Sequence, residues 1–191
     1  QNYLLSLFKQ NIKFLLKINH PDLPRIGDSL WAILASECGA SILDFPYPLH
    51  HTRNVDVKIT SMQKSSFRKS LEKRMSDDLI GAAMQRAMSN GGNLLPIYLG
   101  RLEHQLHLVG ECLEILEQAK KFVDDGSEDQ GFWAMSLKER TSFCVDARNI
   151  LHSLRLHLKG KINQVEMTSE KSTLMIKAMR YDARQAMEEG K

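Results

Sequence analysis

The chain has 191 residues, of which 42% are hydrophobic and 26% are charged, with a net charge of +3. This composition is typical of a globular protein and excludes a disordered or collagen-like chain. The longest apolar run, Leu30 to Ala35, is far shorter than the roughly 20 residues of a membrane span, and we expect neither a span nor a signal peptide.

The three cysteines, Cys38, Cys112 and Cys144, are widely spaced and never form a CxxC pair. This spacing argues against a disulfide framework or a cysteine zinc site, so we expect a reducing intracellular setting.

Charge is distributed unevenly along the chain. Residues 1–75 hold 11 basic and 6 acidic residues, residues 76–130 hold 4 and 10, and residues 131–191 hold 11 and 7. Copies of such a molecule would dock positive surface on negative surface, and the basic ends are candidates for contact with anionic lipid or nucleic acid. The alternative is that these charges are scattered over solvated helix faces.

The first 90 residues contain several helical patterns. Residues 3–18 combine a broad Leu/Phe face with Lys9, Lys13 and Lys17 and predict an amphipathic helix. A second helix is predicted from Asp28 to Gly39. The alternating segment 55–59 would suit a strand but has no partner, which favours a loop or helix. A basic helix is predicted from Ser65, followed by a separate helix that Asp77 caps and that residues 89–92 end.

The second half carries two long apolar seams. After Asn93 as N-cap, apolar residues recur in steps of four and three. They are Leu95, Leu99, Leu102, Leu106, Val109, Leu113 and Leu116. Ser136 and Glu139 have capping-box spacing, and the helix after them repeats the pattern from Cys144 through Val165. Gly160 is expected to kink or interrupt this helix. Two such helices joined by a loop are expected to lie antiparallel.

A last helix is predicted to open at Thr168 or Ser169. The fold class is therefore predicted to be all-α, with two small helical bundles joined near the Asn-Gly-Gly break. The predicted domains are residues 1–90 and residues 93–191.

We find no catalytic motif and predict no enzyme activity, catalytic residue or cofactor. His104 and His107 share a helix face near Glu103 and Glu111, but that helix has no Glu-x-x-His and the chain has no HExxH, so no metal site is predicted. The methionines on helix faces suit core filling, with an adaptable binding face as the alternative.

The basic residues are the strongest functional candidates. Five cations fall within eleven residues, and the N-terminal helix adds a lysine row. These side chains would grip phosphates or an anionic membrane surface without reading bases. The predicted membrane- or nucleic-acid-binding residues are Lys64, Arg68, Lys69, Lys73, Arg74, Lys9, Lys13 and Lys17.

Two parts of the chain resemble orthomyxovirus matrix proteins. Gln85–Gly92 leads through an Asn/Gly-rich break into a helix containing Gly110–Ile115, which is similar to influenza matrix proteins at a comparable depth. The Ala/Met-rich cadence that begins with Leu174–Met179 is similar to their final domain. One feature departs from the family, because Arg101 is the single firm positive charge where those relatives carry a dense basic cluster.

The resemblance implies a self-associating layer beneath a viral envelope that contacts anionic lipid on one side and ribonucleoprotein or RNA on the other. It implies a location in the virion and in the host cytoplasm, nucleus and inner face of the plasma membrane. The alternative is a cellular helical adaptor that receives a partner helix on its apolar seam and Met-rich faces.

Overall fold

The computed structural model describes residues 27–39, 65–122 and 136–188. These residues form five helices, and the described part of the chain contains no strand, which confirms the all-α class. The helices are α1 (Gly27–Glu37), α2 (Ser65–Asn90), α3 (Leu94–Phe122), α4 (Leu137–Ile162) and α5 (Val165–Glu188).

The helix ends marked by Gly39, Gly91, Asn93 and Ser136 lie where the sequence predicts them. Gly39 and Gly91 follow α1 and α2 with positive φ angles of 86° and 64°, a conformation that glycine adopts without steric cost. The side chain of Asn93 accepts a hydrogen bond of 3.0 Å from the backbone N–H of Leu95, and so caps α3. Ser136 and Glu139 form the predicted capping box at the start of α4.

Four predicted boundaries are wrong. Helix α1 begins at Gly27 and therefore includes Asp28, the predicted N-cap. Asp77 caps no separate helix, because α2 runs without interruption from Ser65 to Asn90 and no glycine turn or proline lies near Asp77 to stop it. The last helix begins at Val165 rather than at Thr168 or Ser169. Gly160 lies inside α4 and does not interrupt it. The predicted helix over 3–18 and the segment 55–59 lie outside the described residues.

The chain forms two compact units, and the first contains described residues 27–39, 74–99 and 165–188. Here α1 packs against α5. Fully buried side chains from four helices form the core, and its largest members are Leu30, Leu34, Met84 and Tyr98. Ile176, Met179 and Ala183 of α5 are also buried in this unit.

The second unit contains described residues 65–73, 100–122 and 136–164. The apolar seams predicted on α3 and α4 supply its core, in which Leu102 and Leu158 are almost completely buried. Glu117, late in α3, pairs with Arg148, whereas Glu103, four turns earlier, lines a groove with Arg155. The two helices therefore run antiparallel, as predicted.

Both α2 and α3 contribute residues to each unit, and the Asn90–Gly92 turn lies inside the first. The division into an N-terminal domain of residues 1–90 and a C-terminal domain of residues 93–191 stays a prediction.

Candidate functional site

The predicted basic site falls partly on α2. Lys9, Lys13, Lys17 and Lys64 lie outside the described residues, whereas Arg68, Lys69, Lys73 and Arg74 lie in the first three turns of the helix. Their assignment to membrane or nucleic-acid contact stays a prediction, but their exposure and partners can be described.

Lys69 and Lys73 form the exposed basic face of α2. They stand one helical turn apart, and both are exposed together with Ser66 and Ser70 on the same side of the helix. Arg68 is half-buried. Arg74 is exposed but belongs to the first unit and projects about 100° further around the helix than Lys73. Lys69 and Lys73 are therefore the pair best placed to meet an anionic surface together.

Glu72 is the acidic residue that offsets this basic segment in the sequence, and its carboxylate is bound to α4. The hydroxyl of Ser153 donates a hydrogen bond of 2.5 Å to Glu72 Oε1. His157, one turn further along α4, senses the same carboxylate: burial lowers the pKa of His157, and the negative charge of Glu72 raises it. Glu72 is thus directed to α4, whereas the half-buried Asp77 lies one turn after Lys73 on α2.

A second basic row, which the sequence analysis missed, lies on α4. Arg148, His152, Arg155 and Lys159 are all exposed, and their spacing of four, three and four residues places them on one face. The signal was present in the sequence. The basic residues of this segment recur at helical intervals of four and three, as its apolar residues do.

Carboxylates of α3 balance much of this second row. Arg148 Nε lies 3.2 Å from Glu117 Oε1, and both side chains are about half exposed. A groove of about 540 Å³ between the two helices holds both signs of charge. Its lining consists of Leu113, Glu114, Glu117, Gln118, Arg148, His152 and Arg155.

A neighbouring groove shares Glu114 and Arg155 and adds Glu103 and Glu111 to its walls. An anion entering either groove would meet the carboxylates of α3 as well as the cations of α4. The face of α2 is therefore the better candidate of the two for contact with an anionic partner.

The two histidines considered as metal ligands, His104 and His107, both lie on the exposed surface of α3. His107 Nε2 lies 3.3 Å from Glu111 Oε1 on the same helix face, and His104 is exposed. Among the described residues, no group of three or more His, Cys, Asp or Glu side chains is close enough to share a metal ion.

The three cysteines are free thiols. Cys144 is buried in the second unit and Cys112 is exposed. Burial raises the pKa of the Cys38 thiol, and the neighbouring charge of Glu37 raises it further. A raised pKa disfavours the thiolate, so Cys38 lacks the environment of an activated nucleophile.

Comparison with known proteins identifies no relative. No protein-family model, curated protein or solved structure matches the chain. Within the described residues, no helix has both the length and the apolar character needed to cross a bilayer.

Proposed function

We propose that this chain is a non-enzymatic structural protein of the viral matrix type. It self-associates into a layer beneath an envelope and binds anionic membrane, and ribonucleoprotein or RNA, through basic helix surfaces. The observation that supports this proposal most directly is the exposed pair Lys69 and Lys73, whose intervening carboxylate, Glu72, is bound to Ser153.

This surface suits a charged plane better than a small ligand. Lys69 and Lys73 project from one exposed helix face, and serines flank them. A lysine close to an anionic leaflet contributes about 1 kcal/mol to binding, so the pair contributes about 2 kcal/mol, which corresponds to roughly thirtyfold in affinity. Such a monomer binds weakly, and a self-associated layer multiplies the effect because many copies bind together.

Vesicle co-sedimentation tests the proposal. The wild-type chain is expected to bind vesicles that contain phosphatidylserine, to ignore phosphatidylcholine vesicles, and to lose binding in high salt because exposed charges are screened. The double variant Lys69→Glu/Lys73→Glu is expected to bind at least about thirtyfold more weakly.

The matched control is Arg86→Glu/Lys138→Glu. It changes the net charge by the same amount at two exposed positions away from the Lys69/Lys73 face. We expect it to retain most of the binding. Equal loss in both variants would show that net charge alone drives adsorption, and binding to neutral vesicles would argue against an electrostatic surface.

The same two variants separate lipid from RNA. Fluorescence anisotropy with single-stranded RNA is expected to show a linear fall of log affinity with log salt, with the slope reduced by about 0.7 for each phosphate-contacting lysine removed. If Lys69→Glu/Lys73→Glu loses RNA binding but keeps vesicle binding, the face serves ribonucleoprotein rather than membrane.

The helical adaptor is the alternative. Met84, Met88 and Met179 are buried, as are Leu102 and Leu154 of the two seams, so these side chains already pack in the protein's own cores. An adaptor would have to receive its partner on exposed apolar side chains instead. It would bind a partner helix with little sensitivity to salt and would ignore vesicles.

A further inference from the structure

Helix α5 has apolar side chains on two opposite sides, although two serines also lie on the buried side. One side is buried in the first unit and repeats in steps of four and three. It consists of Val165, Ser169, Ser172, Ile176, Met179 and Ala183. The other side is exposed: Met167, Leu174 and Tyr181 have 64%, 61% and 64% of their surface accessible, and Ala178 is exposed between them. We call these four residues the outer stripe.

The outer stripe has the geometry of a helix-pairing surface. Its residues follow one another at intervals of seven, four and three, which keeps them within a narrow sector on the side of α5 opposite the buried face. The exposed Lys171 occupies the four-three position between Met167 and Leu174 in the same sector. From Met167 to Tyr181 the stripe is about 21 Å long. A helix that only packs on its own core needs one apolar side, so the second side requires a separate explanation.

The charges beside the outer stripe indicate what covers it. Glu166 and Glu170 lie along one edge of its N-terminal half, and Lys177 and Arg184 lie along the same edge of its C-terminal half. All four side chains are exposed. When two copies of a helix pair antiparallel, the same edge of each meets the other, and the acidic half of one faces the basic half of its partner.

We propose that the outer stripe is a self-association surface on which two copies of this chain pair through antiparallel α5 helices. The inference rests on the proposed function in one respect, because it names the surface for the self-association included there. A parallel pair would bring opposite edges together and lose the match between Glu170 and the basic residues of the same edge.

The size of the outer stripe sets the strength of the pairing. Four side chains along one helix bury much less than the roughly 1,000 Å² that a stable interface requires, so the pair forms weakly in dilute solution. Weak pairing becomes effective when many copies are held side by side, as in a layer.

Sedimentation velocity without lipid tests this surface, with circular dichroism to show that each variant is folded. The wild-type chain is expected to show a concentration-dependent monomer–dimer equilibrium. Leu174→Asp is expected to remain monomeric over the same concentrations. The control Leu156→Asp introduces the same charge at a leucine of α4 that is 71% exposed, and is expected to dimerise like the wild type.

Charge reversal tests the orientation. Glu166→Lys/Glu170→Lys makes the whole edge basic, and Lys177→Glu/Arg184→Glu makes it acidic. Each variant alone is expected to dimerise about tenfold more weakly than the wild type, because like charges then meet across the pair. An equimolar mixture of the two is expected to recover the association as a heterodimer.

Three results would overturn the inference: a wild-type chain that stays monomeric at every concentration, a Leu174→Asp variant that dimerises like the wild type, or a mixture of charge variants that recovers nothing. If the wild type is monomeric and Leu174→Asp loses vesicle binding, the stripe contacts lipid instead of a second copy. Because this assay contains no lipid, dimerisation can fail while vesicle binding persists, and vesicle binding can fail while dimerisation persists.

Discussion

Arg180 and Glu37 form a two-point ion pair that joins α5 to α1. Arg180 Nε donates to Glu37 Oε2 at 2.8 Å, and Arg180 Nη2 donates to Glu37 Oε1 at 2.6 Å. Glu37 ends α1, where the helix dipole disfavours a carboxylate, so the guanidinium offsets that cost as well as linking the helices. The hydrogen bonds to Glu37 raise the pKa of Arg180 above its ordinary value.

Arg180→Ala is expected to lower the free energy of unfolding by about 1 kcal/mol, the upper end for an ion pair that remains a third exposed. The free energy of unfolding of Arg180→Lys is expected to lie between those of the wild type and Arg180→Ala, because an ammonium group cannot reproduce the two-point geometry. Urea denaturation measures both. Arg86→Ala, at an exposed arginine, is the control and is expected to stay within about 0.5 kcal/mol of the wild type. An Arg180→Ala variant as stable as the wild type would contradict the pair.

Ser136→Ala is expected to lower the free energy of unfolding by about 1 kcal/mol because it removes the N-cap of α4. The Ser136 hydroxyl lies 2.6 Å from Glu139 Oε2, and the backbone N–H of Ser136 donates to the same oxygen at 2.9 Å. Ser142→Ala, at an exposed position inside the helix, is the control and is expected to cost nothing.

The same variant changes the pH dependence. The hydrogen bond from the Ser136 side chain, with a further one from its backbone, holds the pKa of Glu139 below its ordinary value of 4.5. A lowered folded-state pKa gives stability that is present above pH 4.5 and is lost as the pH falls through the folded-state pKa. An NMR titration is expected to show the pKa of Glu139 moving up towards 4.5 in Ser136→Ala. An unchanged pKa would show that this hydrogen bond is absent in solution.

Glu72→Gln is expected to lower the pKa of His157 further, because it removes the negative charge that favours the imidazolium. Burial already lowers the pKa of His157 below its ordinary 6.5, so its contribution to stability is present above pH 6.5 and is lost as the pH falls below that value. An NMR titration of the imidazole measures the shift. Glu103→Gln, at an exposed position on α3, is expected to leave the pKa of His157 unchanged. An unchanged pKa of His157 in Glu72→Gln would show that the two side chains do not interact.

Two glycine-to-alanine substitutions are expected to have opposite signs. Gly91→Ala should lower the free energy of unfolding by about 1 kcal/mol, because a φ of 64° is strained for a residue with a Cβ. Gly160→Ala should raise it by about 0.5 to 1 kcal/mol, because Gly160 lies inside α4 and a Cβ there meets nothing within 4 Å. Thermal unfolding of both variants compares them directly. A stabilised Gly91→Ala would show that the turn relaxes.

The helix ends could be predicted wherever a specific residue type is required by local chemistry. Gly39 and Gly91 supply the left-handed backbone that ends α1 and α2. The side chains of Asn93 and Ser136 accept hydrogen bonds from the first turns of α3 and α4. The turn between α4 and α5 gave no such signal. Asn163 has ordinary right-handed angles of −64° and −16°, which any residue adopts, so the apolar pattern continued across it into Val165.

The surroundings of the basic site could be predicted only in part. The run of cations around Lys69 is visible in the sequence, and so is Glu72 within it. That Glu72 is held by Ser153 depends on two positions 81 residues apart, which no local pattern relates. Asp77 shows the opposite case, in which a residue suited to capping stays inside a helix because packing of the surrounding turns outweighs a local preference.

The two-sided character of α5 bears on which substitutions the chain tolerates. In a helix with one buried side, the positions that are sensitive to substitution recur about once in every turn. Substitutions at these positions lower the amount of folded protein in a cell. If the outer stripe pairs two copies, assembly depends on a second set of positions, on the opposite side of the helix. Substitutions at Leu174 would then leave protein levels intact while abolishing assembly. Residues of α5 would then divide into a set under selection for folding and a set under selection for assembly.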